Sequence, residues 1–332
     1  MVKELESEPK RIEWFRRRFG GPKSGSSREF VQSVNRIYYE TWAGNYRERI
    51  TDDIESEYAD LDRAVQNITD PETVIVDVGG GTGFEFRTAN RLSWSWKHFL
   101  LLEPSSEMAK EAENTVNGSQ QSVSVVEGDI DSLSTLDLPE GRRLYWINSA
   151  VHHVVWFDEF FGTIGRLMGP GDLLLIGHEP RNEYAKSPWF AAFAGVSVLR
   201  KFWSLVAHRA DVQTSDLWAK AISRMEREEV TVAGISPLAV RRIVDYGVGV
   251  KRDVARLGLP PEENEGFWTL DDVLFYLRRP SRVRYVSTYR HFGDSGRSRI
   301  LRMANRAAKT VAPRSGSQFF ALIEAVSSPA SA

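Results

Sequence analysis

The chain has 332 residues, with 43 Lys and Arg against 45 Asp and Glu, a formal net charge of −2, 42% hydrophobic residues and no cysteine. That balance argues against a globally basic surface for nucleic acid or anionic membrane, and the absent thiols rule out a disulfide framework, a thiol nucleophile and a cysteine metal site. The apolar content supports one large domain or one carrying a sizeable insertion.

In chain order, residues 1–27 read as basic and loop-like, with a short helix over Arg11 to Arg18 and a flexible linker over Gly20 to Ser27. The charged start, Met1 to Lys10, lacks the apolar core of a secretory signal, and no stretch approaches the ~20 uncharged apolar residues that span a bilayer. A soluble, cytoplasmic protein with no membrane partner is expected. Phe30, Val34, Ile37, Tyr38 and Trp42 fall near helical spacing, and Ile54 to Asn67 reads as a second helix. Val74 to Val78 is a short apolar run that predicts a buried parallel strand, followed at once by Gly79, Gly80, Gly81 and Gly83. A helix is expected to start near Phe84 and carry Glu85, Arg87 and Asn90 outward. Further strands are predicted at Phe99 to Glu103, at Val123 to Ile130, from Leu144 into a polar tip at Asn148 and Ser149, and at Leu173 to Pro180. A helix over Phe157 to Met168 and a turn over Gly169 to Asp172 separate the last two. Five strands alternating with helices imply a doubly wound parallel α/β sheet.

Beyond the fifth strand the pattern changes. Pro188 to His208 is crowded with aromatics, Ser215 to Glu229 reads as a charged amphipathic helix, and Pro237 to Leu257 as an Arg- and Val-rich one. Residues 184–266 are therefore assigned to a helical insertion, serving as a substrate cap, a homodimer interface or both. Its arginines and lysines read as a solvated helix face rather than a nucleic-acid groove. A helix capped by Thr269, a strand over Arg282 to Arg290, a helix over Ser298 to Lys309 and a strand over Phe319 to Ala325 complete the chain.

A strand, a glycine turn and a helix N-terminus make a nucleotide-type binding corner. Gly79, Gly81 and Gly83 follow Asp77 in the pattern D-x-G-x-G-x-G, and the third glycine of a dinucleotide fingerprint would fall at Phe84. That mismatch speaks against a nicotinamide oxidoreductase. The pattern resembles the first motif of the class I S-adenosylmethionine-dependent methyltransferases. Glu103, one βα unit further on and followed by Pro104, is placed as a second-strand carboxylate that can accept both ribose hydroxyls. The resemblance implies S-adenosylmethionine as cofactor, the glycine loop under its amino-acid end, and Asp77 holding its ammonium, often through water. It also implies Asp129 and Ile130 at the adenine, Asn148 and Ser149 at the fourth strand tip, and Tyr39 or Tyr46 as a lid closing over the sulfonium. An aromatic face suits a sulfonium as it suits other cations, although each of these rings is also explained by helix packing. The family's sheet has seven strands, the last antiparallel. The resemblance spans about 70–183 and 268–326, so the chain divides into a lid segment (1–69), a Rossmann-like methyltransferase domain (70–183 and 267–332) and the insertion (184–266).

The sulfonium already carries an activated methyl group, so the protein must position a nucleophile and, where that nucleophile holds a proton, supply a base. Histidine suits that task near neutral pH. His152 and His153 stand at the fourth strand tip, with His178 and Glu179 at the fifth. His153 is preferred as base, then His178, with a structural role as the alternative for each. A His/His/Glu metal site has no supporting spacing motif, so no metal is assigned. The expected reaction is methylation of a small apolar or aromatic metabolite, at oxygen in preference to carbon or nitrogen. A member of the fold that binds the cofactor without transferring methyl, as a regulator or in a cyclisation, is the alternative.

Overall fold

The structure is a computed structural model that describes residues 25–46, 58, 68–154, 157–180, 212–231, 234–244, 270–289, 299–311 and 318–327. Its centre is a seven-stranded sheet. The strands are β1 (Val74–Val78), β2 (His98–Glu103), β3 (Val123–Glu127), β4 (Arg143–Asn148), β5 (Leu173–Pro180), β6 (Ser281–Tyr289) and β7 (Gln318–Ala325), in the order β3-β2-β1-β4-β5-β7-β6. The first five are parallel, and β7 runs antiparallel to both β5 and β6. This is the Rossmann-like α/β sheet expected above. The order reverses between β1 and β4, where open α/β sheets bind ligands beyond their carboxyl ends.

The strict two-residue period of the strands sorts their side chains between two faces. Val74, Val76, Leu100, Leu102, Tyr145, Ile147, Leu174 and Ile176 join one core, and Ile75, Phe99, Leu101, Leu144, Trp146, Leu173 and Leu175 join the other. The first core is covered by α5 (Phe157–Leu167) and α8 (Leu270–Leu277), through Phe161, Ile164, Val273 and Leu277. These helices approach so closely that a Cβ on Gly165 would lie 1.9 Å from the Leu277 carbonyl oxygen. The second core is covered by α2 (Phe84–Arg91) and α3 (Ser106–Val116), with Phe84, Ala89 and Ala112 buried beneath them. By the same parity, Asp77, Glu103 and Asn148 fall on the face that α2 covers.

A separate apolar cluster joins α1 (Ser27–Tyr46) to α6 (Val212–Arg227) and α7 (Pro237–Val244). Phe30, Val31, Val34 and Ile37 of α1 meet Ala221 and Met225 of α6 and Val240, Ile243 and Val244 of α7. Each such side chain, fully buried, contributes roughly 1.5–3 kcal/mol. The short α4 (Ile130–Leu133) and the terminal α9 (Arg299–Val311) complete the described helices. The expected helix over Ile54 to Asn67 lies outside the described residues apart from Tyr58. The aromatic run Pro188 to His208, the end of the helix expected to reach Leu257 and the Thr269 cap also lie outside them. Among the described residues no helix is long and apolar enough to cross a membrane.

Candidate functional site

A cavity of about 510 Å³ opens at the carboxyl ends of β1 to β5 and is roofed by α1. Gly79, Gly80 and Gly81 follow β1, Glu103 and Pro104 end β2, Asp129 and Ile130 follow β3, and Asn148 and Ser149 end β4; all line it. From the roof, Gln32, Asn35, Arg36, Tyr39 and Tyr46 face it, and His153 and His178 complete the far wall. The structure thus brings most of the sequence-derived candidates to one space.

Three candidates stand elsewhere. Gly83 does not line the cavity; it precedes α2 with φ +80°, a left-handed turn in which a side chain would be strained. Asp77 lies behind the glycine turn, fully buried, and among the described residues neither of its carboxylate oxygens has a hydrogen-bond partner. Gly80 passes so close that a Cβ there would lie 2.5 Å from Asp77 Oδ2 and from Leu101 Cγ. Direct contact between Asp77 and a ligand is therefore screened by the turn. His152 is turned away from the cavity: its Nδ1 pairs with Glu179 Oε2 at 3.0 Å, and Glu179 also accepts the backbone N–H groups of Val151 at 2.7 Å and His152 at 3.2 Å. His152 and Glu179 together fix the 3₁₀ turn Val151–His153 that presents the next residue.

Glu103 is held by main chain on both oxygens. Gly81 N–H donates to Oε2 at 2.9 Å and Ser105 N–H to Oε1 at 2.8 Å. Burial raises its pKa to about 7 against the pull of those two donors. The same cause raises Asp77 well above the ordinary carboxylate range, with the neighbouring Glu85 and Glu103 charges adding to it. Glu85 itself corrects the expectation that α2 carries it outward: it is 4% exposed and lines the cavity. Ala89, one helical turn on, is buried in the core, so helical spacing rather than polarity marks the inward face. Asn148 Nδ2–H donates to Glu85 Oε1 at 2.7 Å, the Tyr58 hydroxyl donates to Asn148 Oδ1, and Trp146 Nε1–H donates to the Tyr58 hydroxyl oxygen at 3.1 Å.

The strand tips carry two non-glycine residues with left-handed backbone, Ser149 at φ +53° and His178 at φ +57°. They face each other: Ser149 N–H donates to Gly177 O at 2.9 Å and Ser149 Oγ to His178 O at 3.2 Å. A register shift in the β5–β7 pairing between Ile176 and Glu179 accompanies this bend and aims His178 at the cavity. Its Nδ1 lies 3.1 Å from the Tyr289 hydroxyl.

His153 joins three elements. Its Nδ1 lies 2.5 Å from the carbonyl oxygen of Val244, at the end of α7, and its Nε2 lies 2.5 Å from the hydroxyl of Tyr39 in α1. A carbonyl oxygen only accepts, so Nδ1 carries the proton and Nε2 accepts from Tyr39. Burial, then the adjacent His152 ring, hold the His153 pKa well below the usual histidine value, so the imidazole is neutral. α1 makes further polar contacts. Gln32 Nε2–H donates to Asp129 Oδ2 at 3.4 Å, while Asp129 Oδ1 caps α4 by accepting from Asp131 N–H and Ser132 N–H. Glu40, nearly buried, binds Arg36 at 3.3 Å and Arg224 at 2.6 Å, and Glu228, just past the end of α6, ties the same two arginines. Sequence reasoning passed over Tyr58, whose role depends on a distant strand, and the polar stripe Gln32, Asn35 and Arg36, whose three- and four-residue spacing along α1 was the available signal.

Residues 76–176 match the family model described as a methyltransferase domain. Over that stretch the chain is similar to the methyltransferase domain family. No curated protein sequence matches it. Among solved structures, a SAM-dependent methyltransferase from Anabaena variabilis is 12% identical, with 89% of this chain and 95% of that one covered and a TM-score of 0.47. The Haloferax volcanii complex of the Trm112 methyltransferase activator with a methyltransferase is 15% identical, covering 89% and 99%, at TM-score 0.46. The DhpI complex with S-adenosylhomocysteine is 20% identical over 47% of this chain and 72% of that one, at TM-score 0.37.

Proposed function

We propose that the enzyme transfers the methyl group of S-adenosylmethionine to a hydroxyl of a small apolar or aromatic acceptor, with His153 as the base. The observation that carries this reading is the neutral His153, with its proton fixed on Nδ1 by Val244 O and its Nε2 directed at the Tyr39 hydroxyl beside the cavity. In this reading an acceptor hydroxyl loses its proton to Nε2, either directly after Tyr39 shifts or through the Tyr39 oxygen as that group passes its own proton on. The resulting imidazolium keeps its Nδ1–H bond to the Val244 carbonyl, which offsets part of the burial cost of its charge. His178, on the same cavity, is the second candidate; His152, paired with Glu179, holds the turn.

The cavity residues fit the cofactor. Glu103 keeps lone pairs for the two ribose hydroxyls beyond its two main-chain donors. In this reading Asp129 Oδ2 accepts from the adenine amine and Ile130 covers the ring; Gly79, Gly81 and Pro104 shape the floor of the cavity, and Asn148 and Ser149 its strand-tip wall. Tyr39 and Tyr46, 5.9 Å apart between ring centroids, face the sulfonium end. Val154, Phe160, Tyr46 and His178 leave a largely apolar wall for the acceptor, which supports the aromatic or apolar substrate class.

The test is His153→Ala against a panel of phenols and aliphatic alcohols, read as release of S-adenosylhomocysteine. Turnover should fall roughly 10²–10⁴-fold while cofactor affinity stays within about twofold. Full turnover in the variant would return His153 to a structural role.

A further inference from the structure

The cavity wall carries a carboxylate that neither the glycine turn nor β2 supplies. Glu85 is almost wholly buried, yet it faces the cavity from the first turn of α2. Its Oε1 accepts from Asn148, and a backbone N–H bond also favours its charged form. Behind it, the donors run in one direction, from Trp146 to Tyr58 to Asn148 to the carboxylate. Such a chain fixes the carboxylate's orientation and favours its charged form, and each bond polarises the next.

The charges around Glu85 are mostly of its own sign. Asp77 faces it from β1 and Glu103 from β2. From β4 and from Tyr58 it meets only neutral groups. The one opposing charge among the described groups that act on it is Arg87 of its own helix, whose guanidinium donates to Thr82 O at 3.1 Å and to Thr115 Oγ1 at 3.3 Å. An oriented carboxylate in a buried negative field, open on one side to a cavity, is built to receive a cation.

We infer that Glu85 receives the ammonium of the cofactor's amino-acid end, the role that the strand-end Asp77 is screened from taking by the glycine turn. This rests on the reading that the cavity holds S-adenosylmethionine. Asp77 stays behind the turn, out of contact with the ligand. Cofactor capture becomes proton-linked, because burial raises Glu85 and Glu103 to about 7, and a bound cation favours their charged forms.

The experiment is isothermal titration with two probes: S-adenosylhomocysteine, and 5′-deoxy-5′-methylthioadenosine, which shares the nucleoside but lacks the amino-acid end. Glu85→Gln should weaken S-adenosylhomocysteine about tenfold or more while leaving the truncated probe within about twofold. Glu85→Asp, which keeps the charge but withdraws it, should show the same selectivity and serves if the glutamine variant does not fold. Below pH 7, wild-type affinity for S-adenosylhomocysteine should fall with proton uptake, by up to about tenfold per pH unit for each linked carboxylate, and Glu85→Gln should flatten that slope. Equal losses for both probes, or no loss for either, would overturn the assignment. Wild-type protein that binds neither probe would overturn the reading of the cavity, and the assignment with it.

Discussion

The two halves of the cavity are built differently. The floor consists of strand tips and turns whose polar groups are held by main chain: Glu103 by Gly81 and Ser105, Ser149 by Gly177. The roof, α1 with α6 and α7, is held together by its own apolar cluster and by the Arg36, Glu40, Arg224 and Glu228 ion pairs. The two halves meet at the cavity through a few polar contacts, chiefly Tyr39 to His153, Gln32 to Asp129 and the Val244 carbonyl to His153. A floor fixed by backbone sets what is bound. In the proposed mechanism, a roof joined by a few polar contacts decides when the base is complete. Cofactor affinity and turnover should therefore respond to different mutations.

The largest separation should come from Tyr39→Phe. It keeps the ring against Tyr38, Tyr46 and His153 but removes the hydroxyl. Turnover should drop about 10²-fold with S-adenosylhomocysteine affinity unchanged, measured by steady-state kinetics beside titration. Gly80→Ala should do the reverse. Its Cβ would meet Asp77 and Leu101 at 2.5 Å, so the turn must shift; cofactor affinity should fall about tenfold, with a stability loss of ~1–3 kcal/mol by urea unfolding. pH then probes the floor alone. Glu85 and Glu103 are raised from 4.5 to about 7 in the fold, so the unfolded chain releases their protons first. Their contribution to the ligand-free protein's stability is greatest below the unfolded value and is lost as pH rises through about 7. The loss should be on the order of 1–3 kcal/mol between pH 5 and pH 8, and Glu103→Gln should shrink it. The smallest effect belongs to the roof. Arg224→Ala removes a partly exposed partner from Glu40 and Glu228 and should cost ~1 kcal/mol or less in urea midpoint while leaving cofactor affinity unchanged.

The floor was legible in the sequence because backbone chemistry leaves a local signature. Asp77 and three alternate glycines predict a strand, a turn and a helix start, and Glu103 lies one βα unit on. Strand parity was legible too, and it places Asp77, Glu103 and Asn148 on one face. Glu85 was misjudged because its polarity was weighed above its position; with Ala89 one turn later on the core side, the periodicity of α2 pointed inward. His152 and His153 are adjacent and chemically identical, and Glu179, reaching across from β5, holds one of them away from the cavity. The links from Tyr39 and Val244 to His153 span 114 and 91 residues, and no local pattern encodes contacts at that separation.

The central claim is that the cavity at the β1 and β4 tips is an S-adenosylmethionine site. Titration of the purified protein with S-adenosylhomocysteine at pH 8, with NADH as control, tests it most directly. Micromolar, one-to-one binding of S-adenosylhomocysteine alone is the predicted result; binding of NADH, or of neither ligand, would contradict it.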